Sequence, residues 1–364
     1  MGFYLFIIAI LILFSLLNPV GTKGRNLLIL AFFFLYIIAS LRSVSVGNDT
    51  LRYSIGFEDI ARNGSRSTYM SWNEKGYSWL NWLIALFTDD FNVFLAIVNA
   101  IIYFAFYKFV RNYSSNYGLS LLLFFCFGYW GNTVNIIRQE LAVSIFIYAY
   151  LLAESGRKVR GFATGVMAPL FQKTSLVYFL YFLIPRKIDK RFYVMAGSVA
   201  VVIALIIDKA ILLVTKFFSG FGGYLKENSK YVIGRVEPAV VVKCAFLLFV
   251  WVLALYVYDR NKDGLENDTE RTAIVSQINM VFMAFLIMMT ATRFNLLDRC
   301  AMFFNIFVII LIPNIIEMIR KDEFRHIVRA AFTVVAVVYF VAVNVFRPEW
   351  NHIYPYRMFF QAVK

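Results

Sequence analysis

An all-α protein that crosses a membrane many times is the fold class this sequence predicts, and three observations carry it. Of its 364 residues 61% are hydrophobic and only 16% charged, with 39 Phe and 22 Tyr, far from the usage of a soluble domain. Apolar runs close to the ~20 residues that a helix needs to cross a hydrocarbon core recur from end to end. No polar stretch between them is large enough to fold alone, so one lipid-embedded domain, 1–364, is expected.

Helices are expected over 3–18, 27–41, 91–109, 118–131, 135–153, 160–172, 174–185, 192–215, 238–258, 273–291, 300–319 and 328–346, about twelve crossings, several of them short. The first run lacks a basic start and a small-residue cleavage site, so it reads as a retained helix and not a removed signal peptide. Segment 77–88, "YSWLNWLIALFT", is too short and too rich in Trp to cross; chain parity makes it an interfacial or re-entrant helix. In "APLFQKTSLV", 168–177, Pro169 and the polar "QKTS" interrupt an apolar hairpin at its tip. The run 132–146, "NTVNIIRQELAVSIF", raises a sharper question, because a membrane helix begins there with Arg138, Gln139 and Glu140 side by side.

Orientation follows from where short loops concentrate Lys and Arg. Lys23 and Arg25, Lys108 and Arg111, Arg157 with Lys158 and Arg160, "RKIDKR" at 186–191, Arg260 with Lys262 and Arg271, and "RKDEFRHIVR" at 320–329 fall on one face, which should be cytoplasmic. Both chain ends and the segments 42–90, 132–138, 216–237, 292–299 and 347–364 then fall on the other. The net charge of +14 is thereby a membrane-sorting signal, and nucleic acid is not implied. Cys126, Cys244 and Cys300 show no CxxC spacing and the two histidines, His326 and His352, complete no metal set with them, so disulfides and zinc are not expected.

Sorting of positive charge should leave the outer face poor in Lys and Arg, yet Arg42, Arg52, Arg138, Lys173, Arg293, Arg299 and Arg357 lie there or just inside the membrane. An ionisable group within a bundle costs at least ~2.5 kcal/mol on insertion scales and therefore faces the interior with a partner. Each alone is explained by a neighbouring acid or by snorkelling to lipid phosphates, and Arg299 beside Asp298 invites the local pair. Together they describe a cationic cavity for an anionic ligand, with Arg138 first because the planar guanidinium suits bidentate phosphate binding.

"RSVSVGNDTLRY" from Arg42, "NEKGYSWLNWL" with Glu74, "NIIRQELA" with Arg138 and Gln139, "FQKTS", "TRFNLLDR" and the terminal "YPYR" resemble, in order and over nearly the whole chain, the EpsG-like branch of the Wzy polysaccharide polymerases. One departure is Gln172, where family members often carry His, which removes the hairpin's general base. The resemblance implies an O-antigen or exopolysaccharide polymerase of the bacterial inner membrane, with GT-C glycosyltransferases as an architecture to compare. It would join undecaprenyl-diphosphate-linked oligosaccharide repeats at the periplasmic face, with no cofactor, and with a flippase and a chain-length regulator of the same pathway as partners. Arg138 would stabilise the departing diphosphate, assisted by Arg293 and Lys173, with Arg42, Arg52 and Arg299 behind them. The acceptor hydroxyl needs a base, for which Asp49 and Glu74 are the outer-face carboxylates; Asp49 in "VGNDT" is equally a turn residue. Trp72, Tyr77, Gln139 and Tyr356 are the sugar-contacting candidates, although Trp72, Trp79, Trp82, Trp350, Tyr354 and Tyr356 also read as an interfacial aromatic belt.

Two other functions fit the same substrate: an O-antigen ligase, which differs only in its acceptor, and a flippase, which needs cations through mid-membrane where this sequence gathers them near one face. Alkaline phosphatase fused at Asn63, Asn228 or Gln361 is expected to be active and at Lys187 inactive. Activity at Lys187 would overturn the orientation.

Overall fold

The computed structural model describes residues 1–19, 21–217, 236–265 and 267–361. Asn228 and most of the expected 216–237 loop lie outside the described residues. Among those described, regular structure is helical throughout, and strand pairing is confined to one isolated antiparallel bridge between Arg42 and Met358.

The helices are α1 (Gly2–Leu17), α2 (Gly21–Ser40), α3 (Thr50–Asn63), α4 (Tyr69–Trp72), α5 (Lys75–Ala85), α6 (Phe91–Tyr113), α7 (Tyr117–Cys126) and α8 (Tyr129–Asn135). They continue as α9 (Ile137–Glu154), α10 (Lys158–Gly165), α11 (Lys190–Phe217), α12 (Pro238–Asn261), α13 (Asp268–Ala291), α14 (Asp298–Asn305), α15 (Val308–Glu317) and α16 (Asp322–Phe346). By length and apolarity six of the described helices can cross a membrane: α2, α6, α11, α12, α13 and α16. The bent pair α14 and α15, with 47° between them, is a broken span or a re-entrant loop, which makes six or seven candidate crossings among the described residues in place of the twelve expected.

Of the remaining expected crossings, 3–18 and 135–153 are the unbroken helices α1 and α9, of 16 and 18 residues, and the others depart from straight helices for local reasons. The 118–131 run splits into α7 and α8 because Gly128 takes φ of +87°, a conformation that glycine adopts without strain. The 160–185 hairpin is built from the eight-residue α10, a 3₁₀ turn at Ala168–Leu170 carrying Pro169, and an 11-residue 3₁₀ helix, Lys173–Leu183, unusually long for that geometry. At 11 residues α5 is too short to cross; Tyr77, Ser78, Asn81 and Ile84 are buried while Trp79, Trp82 and Leu83 are exposed, the pattern of a helix lying in an interface.

The chain, expected as one domain, separates into two compact units, residues 1–176 with 321–364 and residues 177–320. In the first unit α1 packs on α7, α2 and α9 on α6, and α16 on α7. Gly118 allows the α1–α7 approach, since a Cβ there would meet the Ser15 backbone nitrogen at 2.3 Å. Aromatic rings fill the space between them: Tyr4, Phe125, Trp130 and Phe340 contact one another with centroids 5.1 to 6.0 Å apart, geometry that adds to area burial.

In the second unit α13 is the central helix, packed by α11, α12, α14 and α15. Tyr193, Trp251 and Phe282 form its aromatic centre. Asn279 accepts from the Tyr193 hydroxyl at 2.6 Å and donates to the Pro185 carbonyl at 2.7 Å, and Asn314 donates to Gln277 at 2.8 Å. These are the internally satisfied polar pairs that a lipid environment demands.

Candidate active site

In the first unit the 41–50 segment, the end of α8 and the 347–361 tail meet. The Gly47 amide donates to the His352 carbonyl at 2.9 Å, Ser43 to Arg357 and Phe359 to Leu41, also at 2.9 Å, so the 41–50 segment and the tail are laced together. Asn48 donates to the Glu349 and Trp350 carbonyls at 2.9 and 3.0 Å. Asn135, at the end of α8, accepts from the Asp49 amide at 3.3 Å. Gly47 (φ +92°) is required here, because a Cβ would lie 2.6 Å from the Val134 carbonyl oxygen.

The three polar residues that open α9 go to three destinations. Arg138 turns toward the α4–α5 connection, where Nη1 donates to Asn73 Oδ1 at 3.0 Å and Glu74 Oε2 at 2.8 Å. Its guanidinium lies over the Tyr77 ring, 5.9 Å from the centroid. Gln139, 1% exposed, accepts from the Thr174 hydroxyl at 2.9 Å and so ties α9 to the hairpin. Glu140 is buried, and its Oε2 has no hydrogen-bond partner among the described residues.

Gly76 lets the hairpin reach α5, since a Cβ there would stand 2.9 Å from the Leu170 carbonyl oxygen. The hairpin is thus held against both α9 and the start of α5, with Arg138 and Glu74 between them. Glu74 itself stands at the first cap position of α5 but makes no capping bond with its side chain; the carboxylate is spent on Arg138. At 14% and 23% side-chain exposure this pair is sheltered enough for a charge-assisted bond to matter.

Arg138 and Arg52 line one small pocket together with Tyr53, Gly56, Ile60, Tyr69, Asn73, Tyr77 and Asn81. Two guanidiniums at one pocket form a cationic mouth. The Arg138 Nε, buried, has no acceptor among the described residues, so one donor of the guanidinium is uncommitted. Burial first, and then the Tyr53 hydroxyl, hold the Tyr77 hydroxyl above the ordinary tyrosine range, and Arg138 pulls it part of the way down. Asp49, half-buried at the first cap position of α3, makes no side-chain capping bond. No hydrogen bond or ion pair to its carboxylate occurs among the described residues.

Other expected residues are placed elsewhere. Arg42 is fully buried, with its guanidinium on the Ala39 carbonyl and Nε and Nη2 without partners among the described residues. Burial lowers its pKa to about 10, and the Tyr103, Tyr356 and Tyr53 hydroxyls offset part of that fall. Tyr77 and Gln139 are too deeply buried to offer a sugar a stacking face. Tyr356 donates to the Ile38 carbonyl at 2.6 Å and stacks on Phe3, so it fastens the tail. Trp72 closes α4, and Lys173 is exposed at the hairpin tip. Arg293 and Arg299 belong to the second unit, where Asp298 takes Lys243 at 2.7 Å.

Tyr53, Asn73, Tyr69 and Asn81 are site residues that sequence reasoning passed over. Tyr53 ends the "RSVSVGNDTLRY" motif and Asn73 and Asn81 lie in "NEKGYSWLNWL", so the resemblance points to their segments without assigning them a role, and Tyr69 lies in no such motif.

The sequence model described as the EpsG family matches residues 25–358, which takes in every residue placed at this site. No curated protein and no solved structure matches the chain.

Proposed function

Because the chain belongs to the EpsG family, a family of membrane polysaccharide polymerases, we propose that it extends a polysaccharide by joining undecaprenyl-diphosphate-linked oligosaccharide repeats at the periplasmic face of the inner membrane. The observation that carries this reading is that Arg138 and Arg52, in segments that carry the family's motifs, line one pocket, with the Arg138 Nε lacking an acceptor among the described residues.

In the proposed step the acceptor hydroxyl oxygen bonds to the donor sugar C1 as the bond from C1 to the diphosphate oxygen breaks. That electron pair leaves with the polyprenyl diphosphate, and the hydroxyl proton passes to a carboxylate. The transition state is oxocarbenium-like, so charge grows on the leaving oxygen, where preorganised donors lower the barrier most. Asn73 and Glu74 fix Arg138 from one side and leave Nε for the phosphate, which makes Glu74 a positioning residue. Asp49, with its carboxylate unspent, takes the base role. A GT-C-like arrangement and a crossing count above seven belong to this proposal.

Purified protein given a lipid-linked repeat is expected to yield a ladder of products, and the ladder should persist in EDTA, since the proposed charge stabilisation uses guanidiniums in place of a metal ion. Absence of any ladder overturns the reading. Loss in EDTA with recovery in magnesium or manganese overturns metal independence.

A further inference from the structure

Helix α3 has a second functional face. Its residues Arg52, Tyr53, Gly56 and Ile60 line the Arg138 pocket, whereas Ser54, Glu58, Ala61 and Arg62 line a separate cavity of about 530 Å³. The two sets follow helical spacing on opposite sides, so the helix is a partition between two sites. The second cavity is completed by Ser43, Val44, Asp89, Asp90, Phe91 and Asn92, and by Phe359 and Gln361 from the tail. Its volume lies within the ~300–1,000 Å³ of small-molecule sites.

The lining chemistry selects the ligand. Arg62 pairs with Glu58 at 3.8 Å, which leaves Asp89 and Asp90 to make the lining net acidic and unfavourable to phosphate, and among the described residues no three His, Cys, Asp or Glu side chains are grouped to hold a metal ion. Carboxylates and amides at the rim are acceptors matched to hydroxyl groups. Asp90 is committed to capping α6 through the Asn92 amide at 2.7 Å, but Asp89 has no partner among the described residues. The Ser43 hydroxyl, 4% exposed, accepts from Ser45 at 3.1 Å, and its own proton meets no acceptor among the described residues. Phe359, 48% exposed, offers a ring face beside these acceptors. Hydroxyl-seeking groups next to an open aromatic face describe a saccharide site.

We propose that this cavity holds the unphosphorylated acceptor end of the glycan, so that α3 separates acceptor sugars from the donor's diphosphate. The assignment rests on the polymerase reading. Asp49 is the N-cap residue of the same helix.

The test uses the full-length protein in detergent and oligosaccharides released by mild acid from the surface polysaccharide of the cell that makes it. Calorimetric titration is expected to show binding to the unaltered protein and to Arg138→Lys alike. The Asp89→Asn, Phe359→Ala double variant, both of whose residues are exposed, should bind about tenfold more weakly, equivalent to ~1.4 kcal/mol. No binding by the unaltered protein, undiminished binding by the double variant, or equal loss in Arg138→Lys would each overturn the inference. Failure of the polymerase reading is distinct: the purified protein would give no ladder of products from a lipid-linked repeat, whatever the titrations show.

Discussion

Replacing Arg138 by lysine is expected to impair polymerisation nearly as severely as replacing it by alanine. The guanidinium does two things at once: Nη1 is held by Asn73 and Glu74 while the buried Nε has no protein acceptor. Lysine can keep the Glu74 pair, so folding should be preserved, but a point charge lacks the planar fork that engages protein on one edge and phosphate on another. Loss of one preorganised donor to a developing oxyanion costs roughly 2.7–4 kcal/mol, about a hundred- to a thousandfold in rate. In cells, single repeats should still reach the surface acceptor while long chains vanish. Were Arg138→Ala protein, normally expressed and inserted, to leave long chains at full abundance, Arg138 would be a structural residue. Disappearance of single repeats as well would replace the polymerase by the transporter.

The elements were legible because membrane helices announce themselves in composition, and each expected run has a helical counterpart. What local pattern could not show was where runs break, since Gly128 and the 3₁₀ geometry at Lys173–Leu183 depend on neighbours as much as on their own residues. Charge placement identified Arg138, Arg52, Asp49 and Glu74, the four assigned residues now found around α3, α5 and the start of α9. It could not sort their partners. Arg42 carries the same charge in the same segment as Arg52, yet lies under the tail that binds 41–50, and no spacing along the chain reveals that a terminus 300 residues away covers it. The cavity behind α3 was likewise hidden, because its walls come from 43–62, 89–92 and 359–361.

Replacing Asp49 by asparagine should abolish most activity with little effect on folding, and this substitution separates the two carboxylates. Asparagine equals aspartate at a helix N-cap, and the Asp49 side chain makes no capping bond to lose. Only the proton acceptor disappears, which costs about a hundred- to ten-thousandfold when the group is a general base. Glu74→Gln behaves differently on the proposed scheme, because an amide oxygen can still accept from Arg138 Nη1 and hold the guanidinium in place. Its loss should be smaller than that of Glu74→Ala, which leaves Arg138 half-buried beside one fewer acceptor. Rates for the three variants, with donor binding measured separately, decide the assignment. If Glu74→Gln proves as inactive as Asp49→Asn while binding donor normally, the base is Glu74. If Asp49→Asn turns over at the unaltered rate, Asp49 is a turn residue of the 42–50 segment and the proton leaves by another route.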